Sequence, residues 1–328
     1  MKFTFNIFRS LLLGLVGSLL LAMSALAEYP ERPITLVVPY GPGGAADLSG
    51  KMIAATAPGY IGQPVLAVNK TGAAGVVGST FVINSDPDGY TMLSARVGSQ
   101  MGVPAMNKTI GYEWDDYTFI GMLEINPFVL VVNPESGLNS FADFEAKLKA
   151  GEEMSYSSAG VGTLLHLATA VMADSMEIDF EKLIHVPYKG GGAAANAVVS
   201  GQVDFSWQNL SAVLASVEAG RLSALAVTMP ERQEVIPDVP TVNEVGYSAL
   251  EKIIGWSAIY GPPDLPDEVV SKWAEVLNSL KEDRAWLRMT RSLGNIVSIM
   301  SPEETKAFVG DQYMVFDNAV NELGLRIE

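Results

Sequence analysis

Three observations predict a two-lobed α/β protein. Short β-rich runs alternate with helix-patterned stretches along nearly the whole chain, about 300 residues remain once an N-terminal leader is set aside, and three glycine-rich turns carry a strand straight into a helix. The alternation points to mainly parallel sheets covered by helices on both faces. A chain of this length favours two lobes over one, and the turns suggest a cleft lined by helix N-termini. Hydrophobic residues at 48% and charged residues at 18%, with 31 glycines and 18 prolines in no periodic array, exclude collagen, coiled-coil and disordered classes. The net charge of −16 repels a phosphate backbone, so nucleic acid is not an expected partner.

The elements follow in chain order. Lys2 and Arg9 precede an uncharged run over 10–27 that closes on Ala25-Leu26-Ala27. A basic start, an apolar stretch and a small-x-small ending mark a signal peptide over 1–27, cut after Ala27 and addressing the chain to the periplasm. Its removal takes away two positive charges and no negative one, which leaves −18. With no cysteine, the chain has neither a lipoprotein attachment residue nor a disulfide. No later run is long and apolar enough to span a bilayer.

The runs 34–38, 65–68, 91–94, 128–132, 184–186, 203–207, 223–228 and 254–260 read as strands. Asp86-Pro87-Asp88-Gly89 is a turn leading into the strand at Thr91. Ser140 with Asp143, and Ser301-Pro302-Glu303-Glu304, carry the capping residue and first-turn acids of helix starts. The runs 128–132 and 254–260, each followed closely by a proline, are the expected crossings between lobes. Lobe 1 is then 28–128 plus 250–328, and lobe 2 is 129–249.

The first glycine-rich turn, Pro39-Tyr40-Gly41-Pro42-Gly43-Gly44-Ala45-Ala46-Asp47, opens a helix. Uncovered amides and the helix dipole there favour an anion by roughly 0.3 to 1 kcal/mol. It is no nucleotide fingerprint, because Ala46 stands where a third glycine belongs and Gly50-Lys51 is followed by Met52. The second turn, 155–163, precedes a helix over 164–172 and offers hydroxyls at Ser157, Ser158 and Thr163 beside Gly160 and Gly162. The third, Pro187-Tyr188-Lys189-Gly190-Gly191-Gly192, precedes a helix over 193–199. Each turn also has a purely structural reading, as an ordinary tight α/β loop.

Enzyme signatures are missing: there is no G-x-S-x-G elbow, and His166 and His185 lie 19 residues apart with no metal-ligand spacing. His166 reads first as a packing or loop-bracing residue. No catalysis, cofactor or metal is expected.

Seven motifs in order give the chain a resemblance. Tyr29-Pro30-Glu31-Arg32-Pro33-Ile34 with the first turn, Asn69-Lys70-Thr71-Gly72-Ala73-Ala74-Gly75, Pro87-Asp88-Gly89-Tyr90-Thr91, Ser158 to Thr163 with His166-Leu167, Val186 to Gly191, Leu225-Ala226-Val227-Thr228 and Pro237-Asp238-Val239-Pro240-Thr241 resemble the extracytoplasmic solute-binding proteins of tripartite tricarboxylate transporters, the Bug and TctC proteins. The resemblance covers essentially the whole chain after the leader. It implies a type II periplasmic-binding-protein fold, two α/β lobes with a ligand cleft between them, closing on a carboxylated solute. The partners it implies are a large and a small integral-membrane subunit, with the binding protein itself a monomer. The same cleft would equally serve an adaptor whose closed form is read by a membrane sensor kinase.

In that family the first turn and the second-lobe turn bracket the ligand carboxylate. The residues expected at the ligand are Tyr40, Pro42, Gly43, Gly44, Ala45, Ala46 and Asp47, then Arg96 and Ser99, then Ser158, Gly160, Gly162, Thr163 and His166, then Lys189, Gly190 and Gly191, and Gln208. Three positions depart from the family. Ala46 removes a hydroxyl usual before the Asp, Gln208 stands where many relatives place an Asp suited to an ammonium, and Arg96 replaces a small hydroxyl residue and offers a cation to a second carboxylate.

Overall fold

The computed structural model describes residues 29–327 and divides their strands between two sheets. The predicted signal peptide lies outside the described residues. The strands are β1 (Ile34–Val38), β2 (Val65–Asn69), β3 (Thr91–Arg96), β4 (Thr118–Asn126), β5 (Phe128–Val132), β6 (Ser155–Ser158), β7 (Ile184–Pro187), β8 (Phe205–Asn209), β9 (Ser223–Val227), β10 (Gly255–Gly261) and β11 (Ile296–Val297). One sheet runs β11-β4-β10-β3-β1-β2 and the other β7-β6-β8-β5-β9. The second sheet is thus a continuous insertion between β4 and β10 of the first.

The sheets are not mainly parallel as the alternation predicts; they are mixed. β1 pairs parallel with β2 and β3, and β6 with β7 and β8. β10 runs antiparallel to β3 and β4, β11 to β4, and β5 to β8 and β9. The reason is topological: β5 and β10 enter their sheets by crossing from the other one, so neither arrives through a right-handed strand-helix-strand connection.

β4 is absent from the sequence-based strand set. It is buried on both faces, so it lacks alternation, and Gly121 interrupts it. That glycine is required: a Cβ would lie 2.6 Å from Leu277 Cδ1 and from the Met300 carbonyl oxygen. Pro127 alone separates β4 from β5, so the first crossing is a single residue. The predicted strand over 203–207 shifts to Phe205–Asn209, because Asp204 accepts from the Ser155 amide and hydroxyl, both at 2.7 Å, and belongs to the turn.

Both predicted helix starts form. Ser140 Oγ accepts from the Asp143 amide at 3.1 Å. Ser301 and Glu304 exchange bonds, with Glu304 N donating to Ser301 Oγ at 3.1 Å and Ser301 N to Glu304 Oε2 at 2.8 Å. Helices over Ala45–Thr56, Leu164–Ser175, Gly191–Val199 and Leu210–Glu218 start at the C-terminal ends of β1, β6, β7 and β8. In open α/β sheets that edge is where ligands bind. No helix among the described residues is long and apolar enough to cross a membrane.

Candidate functional site

Gly43 takes the left-handed conformation (φ +81°) that turns β1 into the Ala45 helix. Asp47, in the first turn of that helix, fastens the loop. It is 1% exposed, and its carboxylate accepts from Gly43 N at 3.0 Å, Lys51 Nζ at 2.7 Å and Asn69 Nδ2 at 3.1 Å. Burial works against the charge, yet those three donors hold the carboxyl below its ordinary range. The first backbone bond of the helix is Leu48 N to Gly44 O, so the amides of Ala45 and Ala46 lie ahead of it, on the pocket wall.

The second turn is fastened in the same manner. Ser158 Oγ accepts from Gly160 N at 3.1 Å and sits 2.6 Å from His185 Nε2; Thr163 Oγ1 donates to Gly160 O at 2.7 Å; Gly162 N donates to His166 Nδ1 at 3.3 Å. His166 and His185 stack with ring centroids 4.5 Å apart. Burial pushes His166 down to about 3, with the neighbouring His185 adding to the effect, and burial pushes His185 down to about 4. Both rings therefore remain neutral in the fold. An unfolded His protonates near 6.5, so as pH falls below that value the unfolded chain takes up protons that the fold refuses. Stability from this source is complete above about pH 6.5 and declines as pH falls toward the lowered values. At pH 5, urea unfolding is expected to find the parent about 2 kcal/mol more acid-sensitive than His166→Leu; equal acid sensitivity would refute a neutral buried His166.

The third turn meets the first across the seam between the sheets. Gly41 N donates to Lys189 O at 3.0 Å, and a Cβ on Gly44 would lie 3.1 Å from Gly192 N and 3.3 Å from Gly191 N. Gln208 is fully buried beneath this contact. Its Nε2 donates to Ser206 Oγ at 2.9 Å, its Oε1 has no partner, and that oxygen lies 3.3 Å from where a Gly191 Cβ would be.

Arg96 ends β3 at 4% exposure. Its Nη1 donates to Asn126 Oδ1 at 2.7 Å and to the Ser257 hydroxyl, and Nη2 donates to Asn209 Oδ1 at 3.0 Å. Ser257 Oγ in turn donates to Glu124 Oε1 at 2.9 Å, and Asn295 Nδ2 to Glu124 Oε2 at 3.0 Å. Burial lowers the guanidinium to about 10, with Glu124 opposing the shift, so Arg96 keeps its charge at neutral pH.

A pocket opens between these elements. It is lined from one sheet by Tyr40, Gly44, Ala45, Ala46, Arg96, Val97 and Gly98, and from the other by Phe128, Ala159, Thr163, Leu164, Leu165, Gly191 and Asn209. The space between its atoms, mouth included, is about 410 Å³. Four helix N-termini reach it, those of the Ala45, Leu164, Gly191 and Leu210 helices, and Arg96 is its one charged lining residue. Such a site attracts an anion and offers no carboxylate to an ammonium. Its hydroxyls are those of Tyr40, which burial pushes up to about 12, and Thr163, which is spent on Gly160. Among the described residues no group of His, Cys, Asp or Glu is placed to hold a metal.

Of the residues expected at the ligand, Tyr40, Gly44, Ala45, Ala46, Arg96, Thr163 and Gly191 come together on this pocket. Pro42, Gly43, Lys189 and Gly190 line a separate outer cleft with Ala212 and Ser216. Asp47, Ser158, Gly160 and Gly162 shape the loops from behind. Ser99 turns its hydroxyl to Gln100 Oε1 at 2.7 Å. His166 lines a second cavity with Tyr156, Phe180 and Leu325. Sequence reasoning missed Asn209 and Phe128. A correctly bounded strand would have found Asn209, since it alternates with Gln208 and faces the opposite side.

Residues 50–325 match the sequence profile of the tripartite tricarboxylate transporter family receptor. Among the solved structures that the chain is similar to are three periplasmic binding proteins or relatives of them. The periplasmic binding protein BugD is 28% identical with a TM-score of 0.86, over 92% of this chain and 100% of that one. MatC from Rhodopseudomonas palustris, with bound malate, is 25% identical with a TM-score of 0.83, over 89% and 100%. Rpa4515 of the same organism, with adipate, is 26% identical with a TM-score of 0.85, over 90% and 99%. The fold is the two-lobed α/β fold of periplasmic binding proteins.

Proposed function

The chain belongs to the family of tripartite tricarboxylate transporter receptors, and from that premise we propose that it captures a small carboxylate in the periplasm, di- or tricarboxylates above others, and delivers it to the large and small membrane subunits of such a transporter. Residues 1–27 export it and are removed after Ala27. It works as a monomer and without catalysis. Lobes 28–128 plus 250–328 and 129–249 close about the crossings at Phe128 and Ile254, and contacts to both lobes favour the closed state.

Arg96 is the observation that carries this reading. A buried guanidinium that keeps its charge at neutral pH, on a pocket that no carboxylate of the protein lines, favours an anionic occupant. One ligand carboxylate rests on the first-turn amides of the Ala45, Leu164 and Gly191 helices, with Ala46 contributing backbone in place of a hydroxyl. A second reaches Arg96. Two structural relatives hold the dicarboxylates malate and adipate.

Calorimetric titration with succinate, malate, adipate, citrate, butyrate and aspartate tests the proposal. At least one di- or tricarboxylate should bind ten times more tightly than butyrate, and aspartate should bind weakly because no carboxylate of the protein lines the pocket to pair its ammonium. Tight binding of aspartate, or no binding of any acid, would overturn it.

A further inference from the structure

We infer that Asn209 makes the deep end of the pocket selective for a second carboxylate against an isosteric amide, an inference that rests on the carboxylate reading above. Asn209 ends β8 and stands at the N-cap of the Leu210–Glu218 helix. An Asn there ordinarily accepts a bond from an amide of the first turn. This one makes no such bond. Its Oδ1 instead accepts from Arg96 Nη2, on the opposite side of the pocket.

That choice fixes which way the amide faces. Arg96 has only donors, so the atom turned to it must be the carbonyl oxygen, and Nδ2 is the atom left over. Asn209 is 7% exposed and lines the pocket, and its Nδ2 has no partner among the described residues. The same logic holds on the other side of the guanidinium. Asn126 Oδ1 accepts from Nη1, and Asn126 Nδ2 is buried without a partner. Ser257, the third acceptor on Arg96, spends its proton on Glu124.

Arg96 thus consumes the acceptors around it and leaves donors: its own Nε, one hydrogen of Nη2, and the two asparagine nitrogens. A terminal amide or ammonium brings further donors and meets no acceptor there. A carboxylate brings two oxygens with about four lone-pair sites and satisfies the set. Arg96 supplies the charge, and Asn209, the one asparagine of the pair that lines the pocket, supplies the discrimination.

The test titrates the parent, Asn209→Ala and Asn209→Asp with succinate, adipate, their mono-amides and butyrate, with thermal melting to confirm folding. Asn209→Asp keeps an oxygen on Arg96 and replaces the free donor with a second acceptor. The parent should prefer a diacid over its mono-amide at least tenfold; Asn209→Asp should lose or invert that ratio, and Asn209→Ala should cut it severalfold. A folded Asn209 variant that keeps the parent ratio overturns the inference and leaves the carboxylate reading standing. Equal weakening toward every ligand, butyrate included, also overturns it, by reducing Asn209 to a clasp between lobes. A parent that binds none of these acids removes the carboxylate reading itself and this inference with it.

Discussion

Gly44→Val is expected to reduce carboxylate binding at least a hundredfold, about 2.7 kcal/mol, while the melting temperature stays within a few degrees of the parent. Gly44 has φ −90° and ψ 171°, an extended conformation that valine adopts freely, so the backbone is not strained by the change. The conflict is with the opposite lobe. A Cβ at Gly44 would lie 3.1 and 3.3 Å from the amides of Gly192 and Gly191, and these are backbone atoms that cannot rotate aside. The two branches of valine then part the first and third turns, break the Gly41 to Lys189 bond and occupy the pocket mouth. Calorimetry with the ligand that the parent binds, beside a melting curve, reads both effects. A variant with parental affinity would take the first turn out of the site.

Arg96→Gln is expected to act on both binding and stability. The sequence reading places Arg96 at a distal carboxylate. The structure gives it a second duty. It is the cation beside buried Glu124 and the donor to Asn126, Ser257 and Asn209. Removing one member of a buried charged set costs about 3 to 5 kcal/mol because the rest is left unpaired. A clear drop in melting temperature should therefore accompany loss of the preference for di- over monocarboxylates, about 1.5 to 3 kcal/mol for a charge-assisted bond. A variant that melts like the parent and keeps the preference would place Arg96 outside both roles.

The loops that reach the pocket were readable in the sequence because a strand, a glycine-rich turn and a helix leave a compositional mark. The inner economy of those loops was not. Asp47, Ser158 and Thr163 look like ligand contacts when only residue type is visible, yet each spends its polar atoms on neighbours within the protein, and that depends on distances no spacing rule carries. The mixed character of the sheets was hidden for a related reason. β5 and β10 are buried on both faces, so their sequences read alike whether their neighbours run with them or against them. Asn209 was lost through a two-residue error at the end of one strand.

The place of β10 constrains how this chain reaches its native state. It lies between β3 and β4, pairing Ser257 with Arg96 and Gly255 with Asn126. When β3 and β4 leave the ribosome, the strand that joins them is more than a hundred residues from being made, and a whole second sheet is synthesised in between. Until then β3 and β4 each present an unpaired edge, and Arg96 and Glu124 lack the serine that links them. The second sheet, being contiguous, can assemble first. The vulnerable species in biosynthesis is therefore an open half-sheet waiting for residues 255–261, and a chain truncated before them would expose a long apolar edge to self-association.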